Sequence, residues 1–137
     1  MSDGRAGSGA DGGEPSLRPP STGRSFAAAR LISLRGIGRK STAIFLLEIE
    51  SWKLLLDLGD ELERGERPDL SQAGTVDAVI LSHAHVDHVG ALDRLNEIGM
   101  PPVYASARTF HGLPDGYRPK NAHILPEPNA EKPTCWA

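Results

Sequence analysis

The sequence has little that would support disulfide bonds, membrane insertion or general attraction to polyanions. It contains one cysteine, Cys135, which excludes an internal disulfide and favours a reducing compartment. The formal net charge is −3, so no overall positive charge attracts nucleic acid. There is no apolar run of about 18 residues, and the N-terminus shows no hydrophobic segment after its first arginine. We therefore expect neither a membrane span nor a secretory signal, and a cytoplasmic location.

The first 25 residues have too few apolar side chains to join a core. Six glycines, three prolines and five serines account for 14 of them, and three acidic and three basic side chains cancel. Such a stretch buries too little apolar surface to offset its ordering entropy. The sequence predicts a disordered tail over residues 1–25, a partial domain over residues 26–111 and a proline-rich, loop-like segment over residues 112–137.

Short apolar stretches bounded by glycine or charged residues predict β-strands in the partial domain. The predicted strands are Ala29–Leu34, Thr42–Ile49, Lys53–Leu58, Val76–Leu81 and Val103–Ala105. The first three follow one another closely, which suggests a meander. After the fourth strand, apolar residues recur every three positions until Gly99, and two prolines follow. This pattern predicts a helix from Asp87 to Ile98.

Three of the five histidines and one carboxylate lie within six positions directly after the fourth strand. If the backbone stays extended there, side chains two residues apart point the same way, so His83, His85 and Asp87 would face one side. His88 would lie in the first turn of the helix, rotated away from them. Imidazole and carboxylate ligands with no thiolate nearby suit zinc, and also manganese or iron. The alternative is a polar surface turn that binds metal only weakly.

The segment His83–His88 resembles the H-x-H-x-D-H motif of the metallo-β-lactamase-fold hydrolases. Upstream, Leu54–Asp60 is similar to the strand and Asp-x-Gly turn that precede the motif in that family. The resemblance covers residues 30–106 and implies an α/β (α+β) fold, the N-terminal part of an incomplete αββα sandwich. Gly90–Leu92 and Pro102–Ala105 are also similar to members that act on nucleic-acid phosphodiesters.

The resemblance implies a metal-dependent hydrolase with one or two divalent ions, and zinc is the first candidate for the metal. His83 and His85 would hold the first ion, and Asp87 and His88 the second. Such enzymes use a metal-bound hydroxide to hydrolyse their substrates. The bond cleaved would be an ester, a thioester or a phosphodiester, and the substrate would be a small molecule or a nucleic acid such as RNA. Asp87 would also be catalytic, because it would orient or deprotonate the water.

The family pattern also includes a third histidine, a bridging aspartate and a last histidine downstream. The only histidines past the motif are His111 and His123, in sequences typical of loops or edges, and either could replace a missing ligand. The alternative function is therefore a truncated, non-catalytic fragment that binds metal weakly or needs a partner chain to complete the fold. An incomplete sandwich would expose one face of its sheet, so self-association through that face is expected.

Two further features have open interpretations. Asp57 lies at the end of an aliphatic strand. Its carboxylate could accept a hydrogen bond from a metal-binding histidine and so fix the orientation of that ring, or it could cap the amides of its own Asp-x-Gly bend. Its neighbour Asp60 is expected to be exposed. The stretch Gly36–Ser41 lacks the glycine that a phosphate loop needs directly before its lysine, so it is interpreted as a hairpin connection. Its Arg39 and Lys40 could attract an anionic substrate at the rim of the site.

Overall fold

A computed structural model describes residues 28–35, 42–60 and 67–127. The predicted tail, the Arg39 and Lys40 pair and Cys135 lie outside these residues. Six strands form one mixed sheet in the order β1-β2-β3-β4-β5-β6. They are β1 (Ala29–Arg35), β2 (Ile44–Ile49), β3 (Trp52–Leu56), β4 (Ala78–Ile80), β5 (Val103–Ser106) and β6 (Ala122–Leu125). In the part of the chain described, no helix has both the length and the apolar character needed to cross a membrane.

The sheet joins an antiparallel meander to a parallel half. Strands β1, β2 and β3 pair antiparallel, whereas β3 to β6 pair parallel. The five strands predicted from the sequence and the meander are therefore confirmed, with ends that differ by a few residues. Strand β6 lies within the segment expected to be loop-like, and that expectation is wrong for its four residues. Its four residues show no alternation of buried and exposed positions, and the strand is defined by its parallel pairing with β5.

The helix predicted from Asp87 to Ile98 is wrong as one continuous element. A short α1 (Val86–Val89) is followed by a break and by a 3₁₀ helix, η1 (Leu92–Ile98). The cause lies in backbone hydrogen bonds to other segments. The carbonyl oxygen of Asp87 accepts from the amide of Ala43, and the amide of Ala91 donates to the carbonyl of Leu58. These groups would have bonded to each other in a continuous helix, so competition from the segments just before β2 and just after β3 ends α1 early.

The core lies on one face of the sheet, beneath the helical segments. Strand β2 alternates, with Ile44 and Leu46 fully buried, and Leu55, Val79 and Val103 continue the same face across the neighbouring strands. Helix α2 (Ala107–His111) packs beside β5 and β6. The α/β class and the partial sandwich expected from the resemblance are confirmed.

The opposite face of the sheet is apolar but less buried. Register places Leu31, Leu47 and Leu54 on this face, and Leu31 is 62 % exposed. Phe45 and Leu56 continue it and are intermediate in exposure. Self-association through this face stays a prediction.

Candidate metal centre

The three side chains expected to face one side come together just beyond the carboxyl end of β4. One ligand atom from each of His83, His85 and Asp87 lies within 4.8 Å of the other two. The rings of His83 and His85 meet edge to face, with centroids 4.6 Å apart. Zinc bonds to imidazole and carboxylate are about 2.0–2.2 Å long, so two ligand atoms of one ion lie at most about 4.4 Å apart, and a small rotation of these side chains would bring the three atoms within reach of one ion. Two imidazoles and one carboxylate form a donor set that fits a divalent cation.

His88 lies beside this group and is oriented by other contacts. Its ring centroid is 4.0 Å from that of His83, and its Nε2 is 3.5 Å from Oδ2 of Asp87. Its Nδ1 is 2.8 Å from Oδ2 of Asp57. The side chain therefore presents Nε2 toward Asp87, the residue that the resemblance pairs with it. A division of the four residues between two ions stays a prediction.

Asp57 connects the end of β3 to the histidine cluster. Its φ of 60° lies in the left-handed region, which aspartate adopts more readily than most residues. One carboxylate oxygen accepts the backbone amide of Ser82 at 2.7 Å, and the other accepts the Ser82 hydroxyl at 2.8 Å as well as bonding His88. The Ser82 hydroxyl is also 2.9 Å from Nδ1 of His83. The carboxylate thus contacts His88 directly and His83 through Ser82, and a role in orienting these rings as metal ligands stays a prediction.

The sequence predicted the contact of Asp57 with a motif histidine but not its contact with Ser82. The hydrogen bonds do not support the alternative cap on its own bend, because the amides of Leu58 and Asp60 donate to carbonyls of the metal-binding segment, and the carboxylate accepts the amide of Ser82, 25 positions along the chain. Ser82 was missed as a site residue, because one serine between a strand and a motif carries no distinguishing pattern. Asp60 is buried at 7 % exposure, which corrects the expectation that it is exposed.

Replacing Asp57 with asparagine should weaken metal binding. The change keeps the shape but removes the charge and one acceptor beside Ser82 and His88, so zinc affinity should fall by about tenfold or more. Competition with a chromophoric chelator measures the dissociation constant. Asp69→Asn is the matched control, because Asp69 is an exposed carboxylate that also accepts a serine amide, that of Ser71. Equal affinities of the two variants would show that Asp57 does not orient the ligands.

Close backbone packing holds the metal-binding segment against the turn after β3. The amide of Leu58 donates to the carbonyl of His88 at 2.9 Å, and the amide of Ala91 donates to the carbonyl of Leu58 at 3.0 Å. Between these bonds, a Cβ atom placed on Gly59 would lie only 1.8 Å from the carbonyl oxygen of Asp87. A glycine is therefore required for the two segments to approach this closely.

The two downstream histidines lie outside the ligand group. His111 is the last residue of α2 and is exposed. The residue after it, Gly112, lies close to Ala84 of the metal-binding segment. The ring of His123 stacks on Tyr104 with centroids 5.0 Å apart. Among the described residues, the group of converging ligand atoms includes neither histidine.

The arrangement of this segment agrees with a known family. The family model described as the metallo-beta-lactamase superfamily matches residues 37–133. The chain belongs to the metallo-beta-lactamase superfamily. This confirms the resemblance carried by the H-x-H-x-D-H motif and the Asp-x-Gly turn. Members of this superfamily are hydrolases and bind divalent metals.

Curated relatives in the superfamily match the chain over limited lengths. The "Transcription termination factor FttA" of Methanosarcina mazei is 31 % identical over 88 residues, which cover 58 % of this chain and 14 % of the relative. An "RNase J-like protein" of Methanocaldococcus jannaschii is 46 % identical over 46 residues, covering 34 % and 11 %. The "Cleavage and polyadenylation specificity factor subunit 2" of Oryza sativa subsp. japonica is 33 % identical over 88 residues, covering 61 % and 12 %. The chain spans 11 to 14 % of the length of these relatives.

Solved structures agree on the fold. A structure titled "Peroxy diiron species of chemotaxis sensor ODP" superposes with a TM-score of 0.52 at 20 % identity, covering 75 % of this chain and 43 % of the other. A diphosphatase of the PhnP family gives a TM-score of 0.52 at 17 % identity, covering 71 % and 50 %. The sheet and helices of this chain thus correspond to half or less of each of these larger folds.

Proposed function

We propose that this chain carries the metal-binding motif of a hydrolase that cleaves phosphodiester bonds in RNA. The observation that carries the proposal is the convergence of His83, His85 and Asp87, whose ligand atoms lie within 4.8 Å of one another. Zinc is the proposed metal, because borderline nitrogen and oxygen ligands suit it. His88 completes the proposed set through its Nε2 atom.

The residues of the chain have separate roles in this proposal. The motif residues would hold a divalent ion, which would lower the pKa of a bound water and polarise a phosphoryl oxygen of the substrate. Asp87 accepts the proton of the attacking water, since its side chain is half exposed and one of its carboxylate oxygens lies beside the ligand atoms of the two histidines. Asp57 keeps Nδ1 of His88 engaged, which leaves Nε2 directed toward the same place.

The substrate class is supported by the relatives. Their names refer to a ribonuclease-like protein, to cleavage and polyadenylation and to transcription termination. These names favour RNA over a thioester or a small ester for this chain. The net charge of −3 does not oppose this choice, because the cation at the centre provides local attraction for a phosphate.

The experiment combines metal analysis with parallel assays on the full chain. Zinc-loaded protein should hydrolyse a fluorescent single-stranded RNA and a simple phosphodiester, and a thioester should be left intact. Asp87→Asn should lower the rate by at least about 100-fold, the size expected for loss of a general base. Asp115→Asn, which changes an exposed carboxylate in the turn after α2, is the control and should leave the rate unchanged. Hydrolysis of the thioester alone would overturn the proposed substrate class.

A second candidate function follows from the number of ligands. The described residues offer one group of three converging ligand atoms, and the chain covers 11 to 14 % of its curated relatives. A chain with this set alone could bind one ion without turnover, as a part that needs further ligands from another segment or partner chain. Stoichiometric zinc with no hydrolysis of RNA would favour this function over the first.

A further inference from the structure

We infer that Arg67 is a positioning residue that holds the metal-binding segment in place from outside the ligand set. The inference rests on the proposed function for the importance of that segment, but the contacts themselves do not depend on a metal. Arg67 lies in the loop between β3 and β4, 16 positions before the first histidine of the motif.

The Arg67 guanidinium bridges two segments that flank the ligands. Its Nε donates to Oδ2 of Asp60 at 2.9 Å. Its two terminal nitrogens donate to the two carboxylate oxygens of Asp93, at 2.9 and 2.7 Å. Asp60 belongs to the turn after β3, and Asp93 lies in the first turn of η1. One side chain thus ties the segment before the motif to the helix after it.

Asp60 transmits this contact to the metal-binding segment. Its backbone amide donates to the carbonyl of Val86 at 3.1 Å, and Val86 lies between His85 and Asp87. A Cβ atom placed on Gly90 would lie 2.7 Å from the Cβ of Asp60, so the backbone of Gly90 lies directly against the Asp60 side chain. A shift of Asp60 must therefore move α1 and the ligands next to it.

The geometry distinguishes this contact from an ordinary surface ion pair. Exposed pairs usually contribute little to stability. Here the Asp60 side chain is only 9 % exposed and the Asp93 contact is bidentate. Hydrogen bonds from Arg67 lower the pKa of Asp93 against the opposing effect of desolvation, so Asp93 is ionised at neutral pH. A lysine has a single nitrogen and cannot reach three oxygen atoms in this arrangement.

The test compares Arg67→Met and Arg67→Lys with Arg30→Met in the full chain. Arg30 also forms an ion pair, with Glu48, but on strands away from the motif. Arg67→Met should weaken zinc binding by about tenfold, the lower end of the effect of groups that orient ligands indirectly. Arg67→Lys should be intermediate, and Arg30→Met should bind as the unchanged protein does. The double variant Arg67→Met with Asp93→Asn should show no further loss of zinc affinity, because Arg67→Met has already removed the contact that Asp93→Asn breaks.

Amide hydrogen exchange in the metal-free protein provides the second measurement. In Arg67→Met, the amides of Leu58, Asp60 and Ala91 should exchange about tenfold faster, because their bonds cross to the metal-binding segment or its flank. The amides that pair β2 with β3 should be unchanged. A purely structural role of Arg67 would instead speed exchange in the sheet and the segment alike, which would overturn the inference.

The two measurements separate the inference from the proposed function. If the unchanged protein binds zinc and Arg67→Met binds it with an affinity within twofold, the inference is overturned and the proposed function stands. Absence of zinc binding in the unchanged protein would overturn the proposed function. In that case, faster exchange in Arg67→Met that is limited to the amides of Leu58, Asp60 and Ala91 would still support the positioning role. Unchanged exchange of these amides would overturn it.

Discussion

Gly59→Ala should unfold the protein at a temperature about 12 to 24 °C lower than the unchanged chain. The added Cβ would lie 1.8 Å from the carbonyl oxygen of Asp87 and 2.9 Å from the amide nitrogen of His88. Both contacts are with backbone, which cannot rotate away, so the turn and the metal-binding segment must separate. Overpacking of this kind costs about 3 kcal/mol or more, and each kcal/mol lowers the Tm of a domain of this size by about 4 to 8 °C.

The control for this prediction is Gly116→Ala. Gly116 has a φ of 84°, but a Cβ atom there would have no neighbour within 4 Å. Alanine should therefore cost only about 1 kcal/mol, from the left-handed backbone conformation. Calorimetry or circular dichroism of both variants measures the difference. If Gly59→Ala melted at or above the temperature of Gly116→Ala, the close contact of the turn with the metal-binding segment would be wrong.

His83→Ala should reduce zinc affinity by at least about 100-fold, more than the loss of any group behind the ligands. His83 provides one of three converging ligand atoms, and its loss leaves two of these atoms with His88 beside them, an incomplete donor set for zinc. The side chain is only partly buried, so the fold should persist and the melting temperature without metal should change little. Chelator competition at neutral pH measures the affinity.

His123→Ala is the matched histidine control. His123 is exposed and stacks on Tyr104, outside the ligand group. Its replacement should leave zinc affinity within twofold of the unchanged protein. A large loss in His123→Ala with little loss in His83→Ala would place the metal elsewhere and contradict the proposed centre.

The cluster itself was predictable because its residues are close in sequence. His83 and His85 lie two positions apart on an extended backbone, which directs both side chains to one side. Asp87 joins them although it already lies in α1, since the helix begins only at Val86. The sequence did not reveal Asp60, whose burial depends on packing against Gly90, a residue 30 positions away.

Apolar patterning in the sequence determined the strands and the order of ligands along the chain, because these depend on neighbouring residues. Contacts between distant segments determined the rest. The end of α1, the partner of Asp57 and the pairing of β6 each depend on hydrogen bonds to residues far along the chain. A buried amide or carboxylate must find a partner, and only the tertiary structure decides which one is near.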